Sequence, residues 1–180
     1  MNRAAHPCHA TGKTNQASSS ARELRHAYQR LISTTGAAWP TILRVALGGV
    51  MFPHAAQKTL GLFGGGGVAQ TMHWFTEQLH IPTGLAVLVI VIEQIGSLAL
   101  VLGLFTRAAA AGVGAVMVGA ILTVHLRNGF FMNWYGTQAG EGFEFHLLAL
   151  AMVAALIIGG GGRASIDRSL CHAWSEPPSI

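Results

Sequence analysis

Hydrophobic and small residues gather in this chain into four long runs separated by short polar stretches. The runs cover Ala37–Ala56, Gly84–Phe105, Ala108–Leu126 and Phe143–Gly162, each about 20 residues long. At ~1.5 Å of helical rise per residue, that length covers the ~30 Å hydrocarbon layer of a bilayer. Each run is therefore read as a transmembrane helix. Only Thr106-Arg107 separates the second run from the third, which makes those two antiparallel neighbours. Small residues such as Gly112, Gly114 and Gly119 permit close helix contact. The expected fold is all-α, an integral membrane bundle of four transmembrane helices with short interfacial helices.

The flanking stretches carry weaker patterns. Residues 1–20 are rich in Ser, Thr and Asn and are expected to form a disordered polar tail. The first apolar run begins only near Ala37, so no secretory leader is expected. Ser20 and Glu23 have the spacing of a capping box, and Leu24, Tyr28, Leu31 and Ile32 then share one face. With Arg22, Arg25 and Arg30 elsewhere, residues 21–34 read as an amphipathic helix on the membrane surface. Between the first two runs, Val68, Met72, Phe75 and Leu79 recur at helical spacing and predict a second interfacial helix. The Gly64–Gly67 run before it lacks the Gly-Lys-Ser/Thr ending of a phosphate loop. The membrane domain is expected over 37–170, with a C-terminal tail over 171–180.

Composition agrees with this pattern. Hydrophobic residues make up 51% of the chain and charged residues 10%, with a mean hydropathy of +0.46. Soluble domains carry roughly a quarter charged residues. A net charge of +4 and a pI near 9.7 would suit a nucleic-acid binder. However, the basic residues form no dense patch interleaved with aromatics, so no nucleic acid is expected and the lipid bilayer is the partner. Their distribution instead sets orientation. With the N-terminus inside, Arg3, Lys13, Arg22, Arg25, Arg30, Arg107, Arg163 and Arg168 lie on the inner side, and only Lys58 and Arg127 on the outer. The positive-inside rule then places both termini in the cytoplasm. Cys8 and Cys171 sit in opposite tails; they could form one bridge at most, and two unpaired thiols are the default expectation.

Ionisable residues inside a span cost ~2.5–3.5 kcal/mol each on insertion and seek partners, so depth decides which of them meet. Arg44 falls ~10 Å from the inner boundary and Glu93 ~16 Å from it, which predicts a structural ion pair between them. A second group gathers just inside the outer boundary. His54 and Lys58 end the first run, His125 closes the third, and Glu144 and His146 open the fourth. These five are the candidate catalytic set, forming one polar pocket that could hold a quinone head and move protons, because imidazole titrates near neutral pH. The imidazoles could instead take a metal, but no cysteine lies at that depth and no metal is assigned. The loop "RNGFFMNWYGTQAGEG" adds Phe130, Phe131, Trp134 and Tyr135 as interface anchors, with Trp134 a candidate for ligand contact alongside His54 and Lys58.

The stretches "LRVALGGVMFPHAAQK", "EQIGSLALVLGLFTR", "VHLRNGFF", "GFEFHLL" and "GGGGRASIDRSL", in that order, resemble the DoxX family of small four-helix bacterial membrane proteins. The resemblance covers residues 39–170. Arg44, His54 and Lys58 match the family's first helix, with Ala55 in place of its usual Gly. Glu93 matches the acidic residue of the second helix, Gly103 to Arg107 the Gly-Leu-x-Thr-Arg turn, and Ser165 and Asp167 the final Ser-x-Asp. Relatives include a subunit of a thiosulfate:quinone oxidoreductase. The resemblance thus implies a multi-pass protein of the bacterial inner membrane, linked to quinone redox chemistry and a redox enzyme partner. Two other functional classes also fit the sequence: a non-catalytic scaffold that stabilises a partner enzyme, and a small solute or proton carrier. A homodimer is the oligomer the short helices would favour.

Overall fold

A computed structural model describes residues 19–175, and among them every regular element is helical. Seven α-helices follow one another: α1 Ser19–Ile32, α2 Trp39–Leu60, α3 Gly67–His73, α4 Thr83–Leu102, α5 Thr106–Ala120, α6 Glu144–Gly159 and α7 Ile166–Ser175. A π turn, Trp74–Gln78, prolongs α3. Another, Ile121–His125, and a 3-10 turn, Leu126–Asn128, prolong α5. Helix α2 packs on α4, α4 on α5 and α5 on α6, and α6 closes back on α2. The four long helices thus form a bundle whose core holds Leu47 and Met51 of α2, Leu100 of α4, Val113 and Met117 of α5, and Val153 and Leu156 of α6.

Two helices are long and apolar enough to cross a membrane: Thr83–Leu102, with mean hydropathy 2.5, and the continuous Thr106–Asn128, with 1.9. The other two depart from the four equal runs read in the sequence. Helix α2 has 22 residues but carries Arg44, His54 and Lys58. Helix α6 has only 16, because Gly160 and Gly162 take positive φ angles of 70° and 77° and end it early.

The approach of α2 to α4 is set by one glycine. A Cβ added to Gly48 would lie 2.7 Å from the Ser97 carbonyl oxygen and 2.9 Å from the Val101 side chain. Only glycine lets the backbones come so near, so Gly48 and Ser97 fix the helix register. Arg44 lies one turn from Gly48 toward the termini end, and Glu93 one turn from Ser97 the opposite way. They end up ~12 Å apart along the axis. The predicted Arg44–Glu93 pair therefore does not form. The depth argument placed the two residues from the ends of the apolar runs, whereas the close contact at Gly48 sets their true level.

Arg44 is nevertheless buried and fully engaged. Its Nε donates to the Gly161 carbonyl at 2.8 Å and its Nη1 to Leu100 at 3.0 Å, with further bonds to the Val101 and Ala164 carbonyls. Leu100 and Val101 lie in the last turn of α4, where carbonyls lack helical partners and the helix dipole is negative. Arg107 treats α6 the same way, donating to Ile157 at 2.7 Å and Ile158 at 3.0 Å. Asp167, 1% exposed, accepts from the N–H groups of Phe105 at 2.7 Å and Thr106 at 2.8 Å, capping the start of α5. The bonds to Asp167 hold Phe105 at a φ of 46°, unusual for a residue with a side chain.

The two interfacial helices pack on the bundle. In α1, Ile32 is buried and Tyr28 meets Phe105 edge-on at 6.2 Å, while Leu24 stays exposed. Beyond α3, Phe75 is buried with Ala86 and Ile90 of α4, and Met72 and Leu79 pack beside them. Helix α7 extends to Ser175, so residues 171–175 continue a helix instead of starting the expected tail. Cys171 is buried and disulfide-bonded, which corrects the expectation of an unpaired thiol there. Cys8 and most of the 1–20 tail lie outside the described residues.

Candidate functional site

At the end of the bundle opposite the termini, Lys58 lies two residues before the end of α2 and reaches inward along the helix. Its Nζ donates to both carboxylate oxygens of Glu93 at 2.6 Å. The Glu93 side chain is 3% exposed and that of Lys58 32%. Counted from the Gly48–Ser97 contact, Lys58 stands ~15 Å and Glu93 ~6 Å toward this end, and the long lysine stem spans much of the difference. One residue further along each helix, the Thr59 hydroxyl donates to Gln94 Oε1 at 2.8 Å.

The ion pair closes one end of a cleft of about 1020 Å³ between the α3 segment, α4 and α5. Its walls are mainly aliphatic and small, among them Leu79, Leu88, Ile92 and Gly119. His125 and His73 are the other ionisable groups on the lining. His125 sits at the end of the π turn, where i→i+5 bonding widens the helix and rotates the side chain out of the α-helical register. Its Nδ1 lies 2.8 Å from the Glu141 carbonyl. A carbonyl only accepts, so Nδ1 carries the proton and Nε2 is the basic nitrogen of the neutral ring.

Behind His125, outside the cleft lining, stands His146. Its ring centroid is 4.1 Å from that of His125. His146 is 7% exposed, and its Nδ1 is buried with no hydrogen-bond partner. Phe145 lies between two histidines, 5.7 Å from the His146 ring and 6.4 Å from that of His54. His54 itself is exposed on α2.

Of the five residues predicted to share a pocket, the cleft therefore takes Lys58 and His125. His146 and His54 form a file on its far side. Glu144 is turned to the 129–143 connection, where its Oε2 accepts from the Met132 N–H at 3.3 Å, and the neighbouring Glu141 accepts from Asn133 at 2.6 Å. Trp134, 79% exposed at the tip of that connection, lines no part of the cleft. Glu93 is the site residue that depth counting assigned elsewhere. What pairs it with Lys58 is the register set by the Gly48–Ser97 contact, which only the packed structure shows. Among the described residues, no three His, Cys, Asp or Glu side chains converge as a metal-binding group.

The molecule is an apolar helical bundle with a buried ion pair and a lateral aliphatic cleft, and two of its helices are long and apolar enough to cross a membrane. The model of the DoxX family matches residues 39–126. This stretch is a DoxX domain, as the resemblance of the sequence implied. No curated protein and no solved structure matches the chain.

Proposed function

We propose that this protein crosses the bacterial inner membrane four times, with both termini in the cytoplasm, and holds a quinone-type amphiphile as a subunit of a redox complex. The observation that carries this reading is the cleft of about 1020 Å³, whose aliphatic walls lead to Lys58, Glu93 and His125. Small-molecule sites are apolar clefts of about 300–1,000 Å³ with a few polar groups that fix orientation. An isoprenoid tail suits the walls, and the quinone oxygen is an acceptor for the Lys58 ammonium, which has a proton to spare beyond its two bonds to Glu93. Nε2 of His125 is a base for a quinol hydroxyl. A partner enzyme supplies or takes the electrons, and this chain positions the ring and exchanges its protons.

The test is binding of decylubiquinone to the purified full-length protein in nanodiscs. A Cβ at Gly119 would meet nothing within 4 Å, yet the residue lines the cleft. Gly119→Phe therefore fills the cleft without disturbing the core and is expected to weaken binding by about tenfold or more, roughly 1.4 kcal/mol. His54→Ala, outside the lining, leaves affinity unchanged. Equal affinity in wild type and Gly119→Phe refutes the cleft as the quinone site and leaves a scaffold role as the better reading.

A further inference from the structure

We infer that the termini end of the bundle is a docking surface for acidic phospholipids, held by Arg30, Arg163 and Arg168. The two helices long and apolar enough to cross a membrane meet at this end, since α4 stops at Leu102 and α5 begins at Thr106. Helices α1 and α7 are both fastened to the turn between them. Tyr28 of α1 meets Phe105 edge-on at 6.2 Å, and Asp167 of α7 accepts the N–H groups of Phe105 and Thr106. The connections that follow α1 and α6 are also tied together. Thr35 N–H donates to the Gly159 carbonyl at 3.1 Å, Arg163 N–H to Ala37 at 3.0 Å, and Gly162 N–H to the Thr34 hydroxyl at 2.6 Å. Arg30 at the end of α1, Arg163 in the second connection and Arg168 on α7 are thereby held at one end of the molecule.

The arginines of this end are of two kinds. Arg44 and Arg107 turn inward and donate to main-chain carbonyls. Arg30 and Arg163 are exposed and Arg168 is half-buried, and no side chain of the three forms a hydrogen bond or ion pair with a described residue. Acid is scarce beside them. Asp167 is buried against the Phe105 and Thr106 amides, which leaves Glu23 as the exposed carboxylate of this end among the described residues. The surface is therefore positive, and each guanidinium can grip a phosphate through two parallel N–H groups.

Apolar surface next to these cations selects a lipid over a free anion. Trp39 is 43% exposed, and its ring lies over Gly159, where an added Cβ would collide with it. Ile42 and Val45 continue that exposed stripe along α2, away from the termini, at helical spacing. Leu31 is exposed next to Arg30 in the chain. A phosphodiester that carries acyl chains matches both surfaces, with its phosphate on the arginines and its chains along the stripe. Basic residues at such a boundary draw anionic lipid out of a mixed bilayer. The inference needs the apolar helices to lie in a bilayer and does not depend on what the cleft holds.

The experiment reconstitutes the full-length protein in dioleoylphosphatidylcholine vesicles with a trace of spin-labelled phosphatidylglycerol or spin-labelled phosphatidylcholine. The motionally restricted fraction of the electron paramagnetic resonance spectrum gives the relative affinity of each lipid for the protein. Phosphatidylglycerol is expected to be favoured by about twofold or more at low salt. Sodium chloride at about 0.5 M should reduce that preference in the wild type by screening. The Arg30→Gln/Arg163→Gln/Arg168→Gln variant should lose it, whereas Arg30→Lys/Arg163→Lys/Arg168→Lys keeps the charge and should retain most of it. Equal affinity for the two lipids in the wild type overturns the inference and leaves this end as a face for an acidic protein. A preference that ignores salt, that survives in the glutamine variant, or that vanishes in the lysine variant overturns it as well.

Discussion

Removing the Lys58 ammonium should destabilise this protein far more than removing the Glu93 charge. The asymmetry follows from burial, because the carboxylate is 3% exposed and the ammonium 32%. Lys58→Met leaves a carboxylate desolvated and unpaired, a change that costs ~3–5 kcal/mol when one partner of a buried pair is lost. Glu93→Gln leaves an ammonium that can still donate to the amide oxygen or swing toward the aqueous interface, at a cost of ~1 kcal/mol. The Lys58→Met/Glu93→Gln double variant carries neither charge and should lie close to Glu93→Gln alone. The sum of the single effects then exceeds the double by ~3–5 kcal/mol. Thermal unfolding of the full-length protein in mild detergent, followed by the fluorescence of its four tryptophans, reads this directly. At about 2–4 °C per kcal/mol for a chain of this size, the Lys58→Met midpoint should fall by about 6–20 °C and the double variant should recover most of it. Equal losses in the two single variants, or additive losses in the double, would refute the reasoning.

Neighbouring glycines supply a second prediction. Gly48→Ala puts a Cβ 2.7 Å from a backbone oxygen and should cost ~1–3 kcal/mol, whereas Gly49→Ala meets nothing within 4 Å and should be neutral or stabilising by ~0.5–1 kcal/mol; the same melting assay separates them. Membrane orientation is tested with single cysteines placed at Arg30 and Tyr135 in a cysteine-free background. An impermeant maleimide added to intact cells should label position 135 and spare position 30, and the reverse pattern would invert the proposed topology.

The four bundle helices were legible because each follows an apolar run, and Met72, Phe75 and Leu79 were placed on one face of the α3 segment by their spacing alone, whereas α7 went unread. The pairing of charges was not. Depth counted from the ends of a run ignores the tilt and register that a contact such as Gly48 against Ser97 imposes, and this sent Glu93 to the wrong cation. Depth also says nothing about rotation about the helix axis. His125, His146 and Glu144 do lie near one end of the bundle, yet His125 faces the cleft, His146 faces the core and Glu144 faces a connection. For His125 the deciding feature is a π turn, and a local change of helical pitch leaves no mark in hydrophobic periodicity. The main-chain targets of Arg44 were hidden for a related reason: a carbonyl has no letter in the sequence.

That last property constrains which substitutions this chain can accept. Arg44 binds the carbonyls of Leu100, Val101, Gly161 and Ala164, and every residue type presents the same carbonyl. Substitution at Leu100, Val101 or Ala164 therefore leaves the recognised group in place, whereas Arg44→Lys loses the planar fork that reaches two segments at once. Gly103 is under a different restriction, since a Cβ there would lie 2.9 Å from the guanidinium carbon. In a saturation mutagenesis screen, positions 44 and 103 should be intolerant, together with Leu100, which fills the core, and Gly161, where a Cβ would lie 2.7 Å from the Ser165 and Thr106 side chains. What the residues at this end hold in place is the path of the main chain around one cation.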